Sequence, residues 1–136
     1  MPANTAPIFP LTPAVSWGTI ATANTAKDGT GTVVTVFTAD ATNGGRVDYL
    51  KIRAAGTNVA TVLRVFVNNG LTNTTAANNT LLVDMTIAAT TNSEVAALLD
   101  NLLSLDLSLP AGFKLNVTIG TTVAAGLHVT AAGGQY

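Results

Sequence analysis

The chain has 136 residues and no cysteine, a length that suits one domain with its own core and a composition that excludes disulfides and thiolate metal sites. Charged residues make up 10% of it, against roughly 25% in ordinary soluble domains, and apolar residues 48%. Six Lys and Arg against seven acids leave a net charge of −1 and no basic footprint for nucleic acid.

Residues 1–14 read as an extended N-terminal arm. Prolines at 2, 7, 10 and 13 fix φ and bias their predecessors toward extended geometry. Ile8, Phe9 and Leu11 supply apolar anchors that a free tail does not need; a disordered leader is the alternative. The stretch has no basic and apolar segments of a secretory signal, and no run in the chain nears the roughly 20 apolar residues of a membrane span. Synthesis in a cytoplasm, with no membrane partner, is expected.

From residue 15 to 136 the dominant period is two, which predicts one domain of strands. Val15–Ile20 reads as the first. Val33–Phe37 is apolar on both faces and suggests a central strand. Leu50, Ile52 and Ala54 oppose Tyr49, Lys51 and Arg53; Leu63, Val65 and Val67 oppose Val62, Arg64 and Phe66. Leu81, Val83, Met85 and Ile87 share a face, as do Leu103, Leu105, Leu107 and Leu109. Phe113, Leu115, Val117 and Ile119 follow after Pro110-Ala111-Gly112, which predicts a β-hairpin. Leu127, Val129 and Ala131 make the last strand. Turn residues at Lys27–Gly31, Asn43–Gly45, Ala55–Asn58 and Asn68–Gly70 separate the runs. Thr91–Glu94 has capping-box spacing, so Glu94–Leu103 fits either a short helix or a loop.

About eight short strands of this kind predict an all-β, single-domain antiparallel β-sandwich, with a jelly roll as first choice and another Greek-key order as the alternative. A surface so poor in charge is weakly protected against association. Either the protein is poorly soluble alone, or its surface is covered by copies of itself or by a partner; the second is favoured for a small intact domain.

Catalytic chemistry finds little footing. His128 is the sole histidine and sits on the opposite strand face from Leu127 and Val129, with no Gly-x-Ser-x-Gly elbow in the chain. Most of the acids lie in turns or outward on strands; Asp84 and Asp106 are the pair that a shared sheet face would bring together, though nothing in their spacing shows it. Transition-metal clusters and dinucleotide fingerprints are absent from the sequence, and Asp40–Gly45 holds some oxygen ligands without an EF-hand loop. No catalytic residue, cofactor or metal is assigned. Arg46, Lys51, Arg53 and Arg64 are the largest local group of cations, read as ion-pair donors to an acidic partner or as a solvated outer face. Trp17 is either a core residue or an interface anchor.

Thr5–Phe9, Trp17-Gly18, Ala23–Gly31, Gly56-Thr57-Asn58, Phe66–Gly70 and Leu109–Phe113 resemble segments of small proteins in tailed-phage and prophage structural gene sets. The resemblance covers nearly the whole chain, but its motifs are turn and strand residues and transfer no functional residue. It implies a virion protein of the capsid decoration (cement) class, bound outside the capsid. It also implies the major capsid protein as partner and a homo-oligomer, with a trimer favoured. Another virion component (tail, fibre or connector) and a carbohydrate-binding β-sandwich are the alternatives. Candidate partner-binding residues are Ile8, Phe9, Leu11, Trp17, Arg53 and Arg64.

Overall fold

The computed structural model describes residues 9–136, so Ile8 and the rest of residues 1–8 lie outside the described residues. Eight strands follow in chain order: β1 (Thr12–Ile20), β2 (Val34–Thr38), β3 (Gly45–Ala54), β4 (Thr61–Asn68), β5 (Asn79–Ile87), β6 (Asp100–Leu109), β7 (Lys114–Ile119) and β8 (Leu127–Gln135). They form two four-stranded sheets, β1-β8-β3-β6 and β2-β7-β4-β5, antiparallel throughout. The expected β-sandwich is what forms.

The pairings nest. β4 pairs with β5, β3 with β6, β2 with β7 and β1 with β8, while β3–β8 and β4–β7 contacts complete the sheets. The chain therefore runs as one long antiparallel ribbon folded over itself. Period-two alternation dictates which side of the ribbon turns inward. Leu50 and Ile52 of β3, Leu63 and Val65 of β4, Leu115, Val117 and Ile119 of β7, and Leu127, Val129 and Ala131 of β8 are fully buried between the sheets. Gly133 of β8 permits a close approach to the irregular stretch of β3, since a Cβ there would run into the Arg46 carbonyl.

Three local expectations are corrected, and the choice left open over 94–103 falls to the loop. β6 and β7 are not a hairpin: β6 pairs with β3 in one sheet and β7 with β2 and β4 in the other. The turn itself forms as read, with Phe113 N–H donating to Pro110 O at 3.1 Å and Gly112 at φ 76°. Turn chemistry specifies the reversal of the chain but not the sheet each flank joins. β2 lies at a sheet edge, and a bulge between Thr35 and Phe37 buries both Val36 and Phe37. Residues 94–99 form bends and irregular chain before β6 rather than a helix, and a single 3-10 turn, Ala76–Asn78, precedes β5. The first strand starts at Thr12, so residues 12–14, read as arm, pair with β8 from Thr12↔Gln135 onward.

Asparagine side chains hold the loops. Asn58, 3% exposed, donates to Ala88 O at 2.8 Å, and its carbonyl accepts from Thr90 N at 3.1 Å and from the Thr90 hydroxyl. Asn68 donates to Asn79 Oδ1 at 2.8 Å; Asn79 donates to Asn73 O at 3.0 Å; and Asn73 donates to Gly31 O at 2.9 Å. Asn24 donates to the Thr30 and Thr32 carbonyls at 2.8 and 2.7 Å, fixing the β1–β2 connection from its other side. Replacing Asn58 by Ala removes the partners of the Ala88 carbonyl and the Thr90 hydroxyl, while the Thr90 amide keeps its bond to the Asn58 backbone carbonyl. Urea unfolding should show a loss of about 1–3 kcal/mol with an unchanged m-value.

Candidate functional site: the outer face of the β1-β8-β3-β6 sheet

β1 reverses the usual polarity of a sandwich strand. Its inward positions carry small residues, Ala14, Ser16 and Gly18, before Ile20 closes the core. A Cβ at Gly18 would collide with the Val34 side chain, and the Ser16 hydroxyl donates to Val36 O. At Gly18 β2 thus leaves no room for bulk, whereas Ala14 and Ser16 border an open cleft against Val36 and Phe37. The large apolar residues of β1 point outward instead: Val15 is 62% exposed and Trp17 69%.

The register continues this apolar surface across the sheet. Val15 lies beside Ala132, which lies beside Tyr49; Trp17 lies beside Thr130, then Lys51, then Leu102. Tyr49 and Leu102 are both exposed. Leaving a side chain such as Val15 or Leu102 in water forgoes roughly 1.5–3 kcal/mol of burial. Apolar side chains gathered on one sheet face mark an interaction surface more strongly than the same residues scattered.

The charges on this face neutralise one another. Arg46 Nε donates to Asp48 Oδ1 at 2.8 Å, and its Nη2 to Asp106 Oδ1 at 3.3 Å. Lys51 Nζ lies 2.8 Å from Asp100 Oδ1. With Arg53, which adjoins Asp100 in register, three cations face three acids. The Lys51 hydrogen bond, aided by the charges of Lys51 and Arg53, holds the Asp100 carboxyl below its ordinary range. The face is thus electrically balanced, with the Lys51–Asp100 pair set between the apolar side chains of β1 and Leu102 of β6.

Of the candidate residues, Trp17 and Arg53 share this face, and the core reading of Trp17 is corrected by its exposure. Phe9 and Leu11 are exposed just before β1, where Leu11 N–H extends the ladder to Gln135 O at 2.8 Å. Leu11 also borders a shallow depression with Asn43, Arg46, Ser108 and Tyr136. Ile8 lies outside the described residues. Arg64 does not join the other cations: it is in β4, in the opposite sheet, and buried. Val15, Tyr49 and Leu102 were not singled out by the sequence reading. Their signal was parity, since each has the opposite facing to a core neighbour.

His128, across from Thr19 in register, shares a 2.9 Å hydrogen bond between its Nδ1 and the Thr19 hydroxyl. Asp84 and Asp106 lie in different sheets, on β5 and β6. The Asp40 carboxylate accepts from the backbone amides of Asn43 and Thr42, at 2.8 and 2.9 Å, so it closes a turn, and these bonds lower its pKa. Among the described residues no three His, Asp or Glu side chains gather as a metal site, and no helix is long and apolar enough to cross a membrane.

No family model matches the chain, and no curated protein matches it. Among solved structures it is similar to a chain in the structure of infectious bursal disease virus, Gx strain, at 18% identity and a TM-score of 0.32. That match covers 98% of this chain and 34% of the other, so this chain spans about a third of its neighbour's length.

Trp17 is the sole tryptophan and therefore reports on this face. Its emission in the free protein should be that of a water-exposed indole, and Trp17→Ala should change stability by no more than about 0.5 kcal/mol in urea unfolding. A pH series tests the carboxylates. Asp40 and Asp100 have folded pKa values below their ordinary value, so their stabilising contribution is complete above about pH 4 and disappears as the pH falls through the lowered values. The urea midpoint should decline on acidification below about pH 4, and Asp40→Asn should flatten that decline.

Proposed function

We propose that this chain is a structural protein of a virus particle, and specifically a decoration protein on the outside of a tailed-phage capsid. It contacts the major capsid protein and sister copies, as a homotrimer. The observation that carries the reading is the outer face of the β1-β8-β3-β6 sheet, where Val15, Trp17, Tyr49 and Leu102 stand exposed among charges already paired. The sequence resemblance to small phage structural proteins supplies the class. We read the nested strand pairing as a jelly roll, a rigid scaffold that can meet many identical sites without any chemistry.

In this reading the sheet face seats the protein against its neighbours, and the N-terminal arm adds grip by laying apolar side chains along a partner. Main-chain hydrogen bonds to an open sheet edge would give such an arm its affinity. β6 and β5 are edge strands that offer this geometry. Trp17 and Tyr49 on one face also favour a second reading, a sugar-binding platform. A glycan array without signal removes it.

The deciding experiment counts copies of the chain per purified particle against the major capsid protein by quantitative mass spectrometry. A ratio near one, or a fixed large fraction of it, supports decoration. A few tens of copies moves the protein to the tail or vertices, and absence from particles overturns the virion reading. Deleting residues 1–9, which spares β1, should leave the unfolding midpoint unchanged and lower occupancy on particles. Trp17→Asp should likewise lower occupancy.

A further inference from the structure

The other sheet carries an unsatisfied cation. Arg64 of β4 lies between Asp84 of β5 and Thr118 of β7 in register, on the outward side of the β2-β7-β4-β5 sheet. The residue is 9% exposed, and its Nη1 is buried without a hydrogen-bond partner. Thr118 Oγ1 beside it is buried and unpartnered as well. Asp84 approaches Nε to 3.9 Å, beyond hydrogen-bond range, with its own side chain half in water. A guanidinium taken out of water with a donor unfilled is costly, which makes this group a candidate for an outside partner.

Arg64 borders a cleft. Ala60, Thr61, Val62, Thr86, Gly120 and Thr121 form the rest of its lining. Hydrogen bonds tie the walls together: Gly120 N–H donates to Val62 O at 3.0 Å, and Thr121 N–H to Thr61 Oγ1 at 2.9 Å. These bonds fix the walls of this shallow cleft relative to one another. Gly120 keeps the space beside the guanidinium free, because a Cβ there would stand 3.5 Å from Nη1.

We propose that this cleft is a binding site for one carboxylate, held by the Arg64 guanidinium, with Thr86 and Thr121 lining the cleft around it. The planar fork of Arg matches a carboxylate with two parallel hydrogen bonds. One cation with a half-solvated acid nearby suits a single negative charge; a phosphate dianion would meet Asp84 repulsion with no second cation to offset it. The carboxylate comes from an acidic side chain of an apposed protein or from a free small acid. The site faces away from the surface described above, so it stands or falls independently of the proposed function.

The test is an NMR titration of the isotope-labelled intact protein at neutral pH and constant ionic strength. Acetate presents the carboxylate alone, and N-acetylglutamic acid α-amide presents it on a peptide unit; chloride and phosphate are the comparators. Saturable shifts at Arg64 Nε–Hε and the Gly120 and Thr121 amides with either carboxylate, weaker with phosphate, are expected. Tighter binding of the glutamyl compound assigns the site to a protein acid, and tighter binding of acetate to a free small acid. Shifts that follow ionic strength alike in acetate and chloride overturn the proposal. Gly120→Ala should weaken saturation several-fold. Arg64→Met should abolish it without lowering the urea midpoint, since an apolar side chain replaces a half-paired buried charge. A steep fall in that midpoint, joined to a flat wild-type titration, would mark Arg64 as a structural cation and also overturn the proposal.

Discussion

The structure depends on the mutual burial of two apolar sheet faces that neither sheet can cover alone. Every strand contributes, but the contacts that matter join residues far apart in the chain: β1 meets β8 across almost the full sequence, and β2 meets β7 across more than half of it. The ribbon must therefore close over long loops before its apolar faces meet, and entropy opposes that closure. Branched and aromatic side chains of the core repay it by their bulk. In the central strands β3, β4, β7 and β8, positions such as Leu50, Leu63, Val117 and Val129 are shut off from water completely.

That constraint explains the composition. Loops crossing the ends of a sandwich need partners for their backbone groups, and a buried charge used for this purpose would need its own compensation. Asn supplies a donor and an acceptor on one neutral side chain. The run from Asn68 through Asn79 and Asn73 to Gly31 shows amides doing this work at the β4–β5 end, and Asn58 does it for the segment before β6. The low charge content thus has a structural source in addition to its meaning for the surface. Composition alone pointed to association; the fold shows that part of the Asn content is committed inside the molecule.

Alternation made the strands legible. The facing of Leu50 and Ile52, Leu63 and Val65, Leu115 and Val117, and Leu127 and Val129 was readable residue by residue, because a strand with one buried face leaves a period of two. Pairing was not legible. Pro110–Gly112 looks the same whether its flanks join one sheet or two, so the hairpin reading failed. Val33–Phe37 looked central because a bulge, which period-two reasoning does not anticipate, buries adjacent residues of an edge strand. The candidate surface was half legible. Trp17 drew notice by type, whereas Val15, Tyr49 and Leu102 became a group only once the register placed their strands side by side. Arg64 was grouped with the wrong cations for the same reason.

The inverted polarity of β1 ties surface to fold. A strand that packs small residues inward weakens its own share of the core, as Ala14, Ser16 and Gly18 contribute little apolar bulk. β1 is also an edge strand, held by β8 on one side. Selection for stability alone would place Val15 and Trp17 inside and polar residues outside. The crowding by β2 at Gly18 resists the first exchange there, but nothing in the packing requires the second, because Ser or Thr would serve at positions 15 and 17 as they do at 104 and 130 on the same face. The outward Val and Trp are therefore not explained by the monomer's own stability. Under the proposed function they are side chains that a neighbour covers, and the balanced charges around them suit a neutral or mixed protein surface.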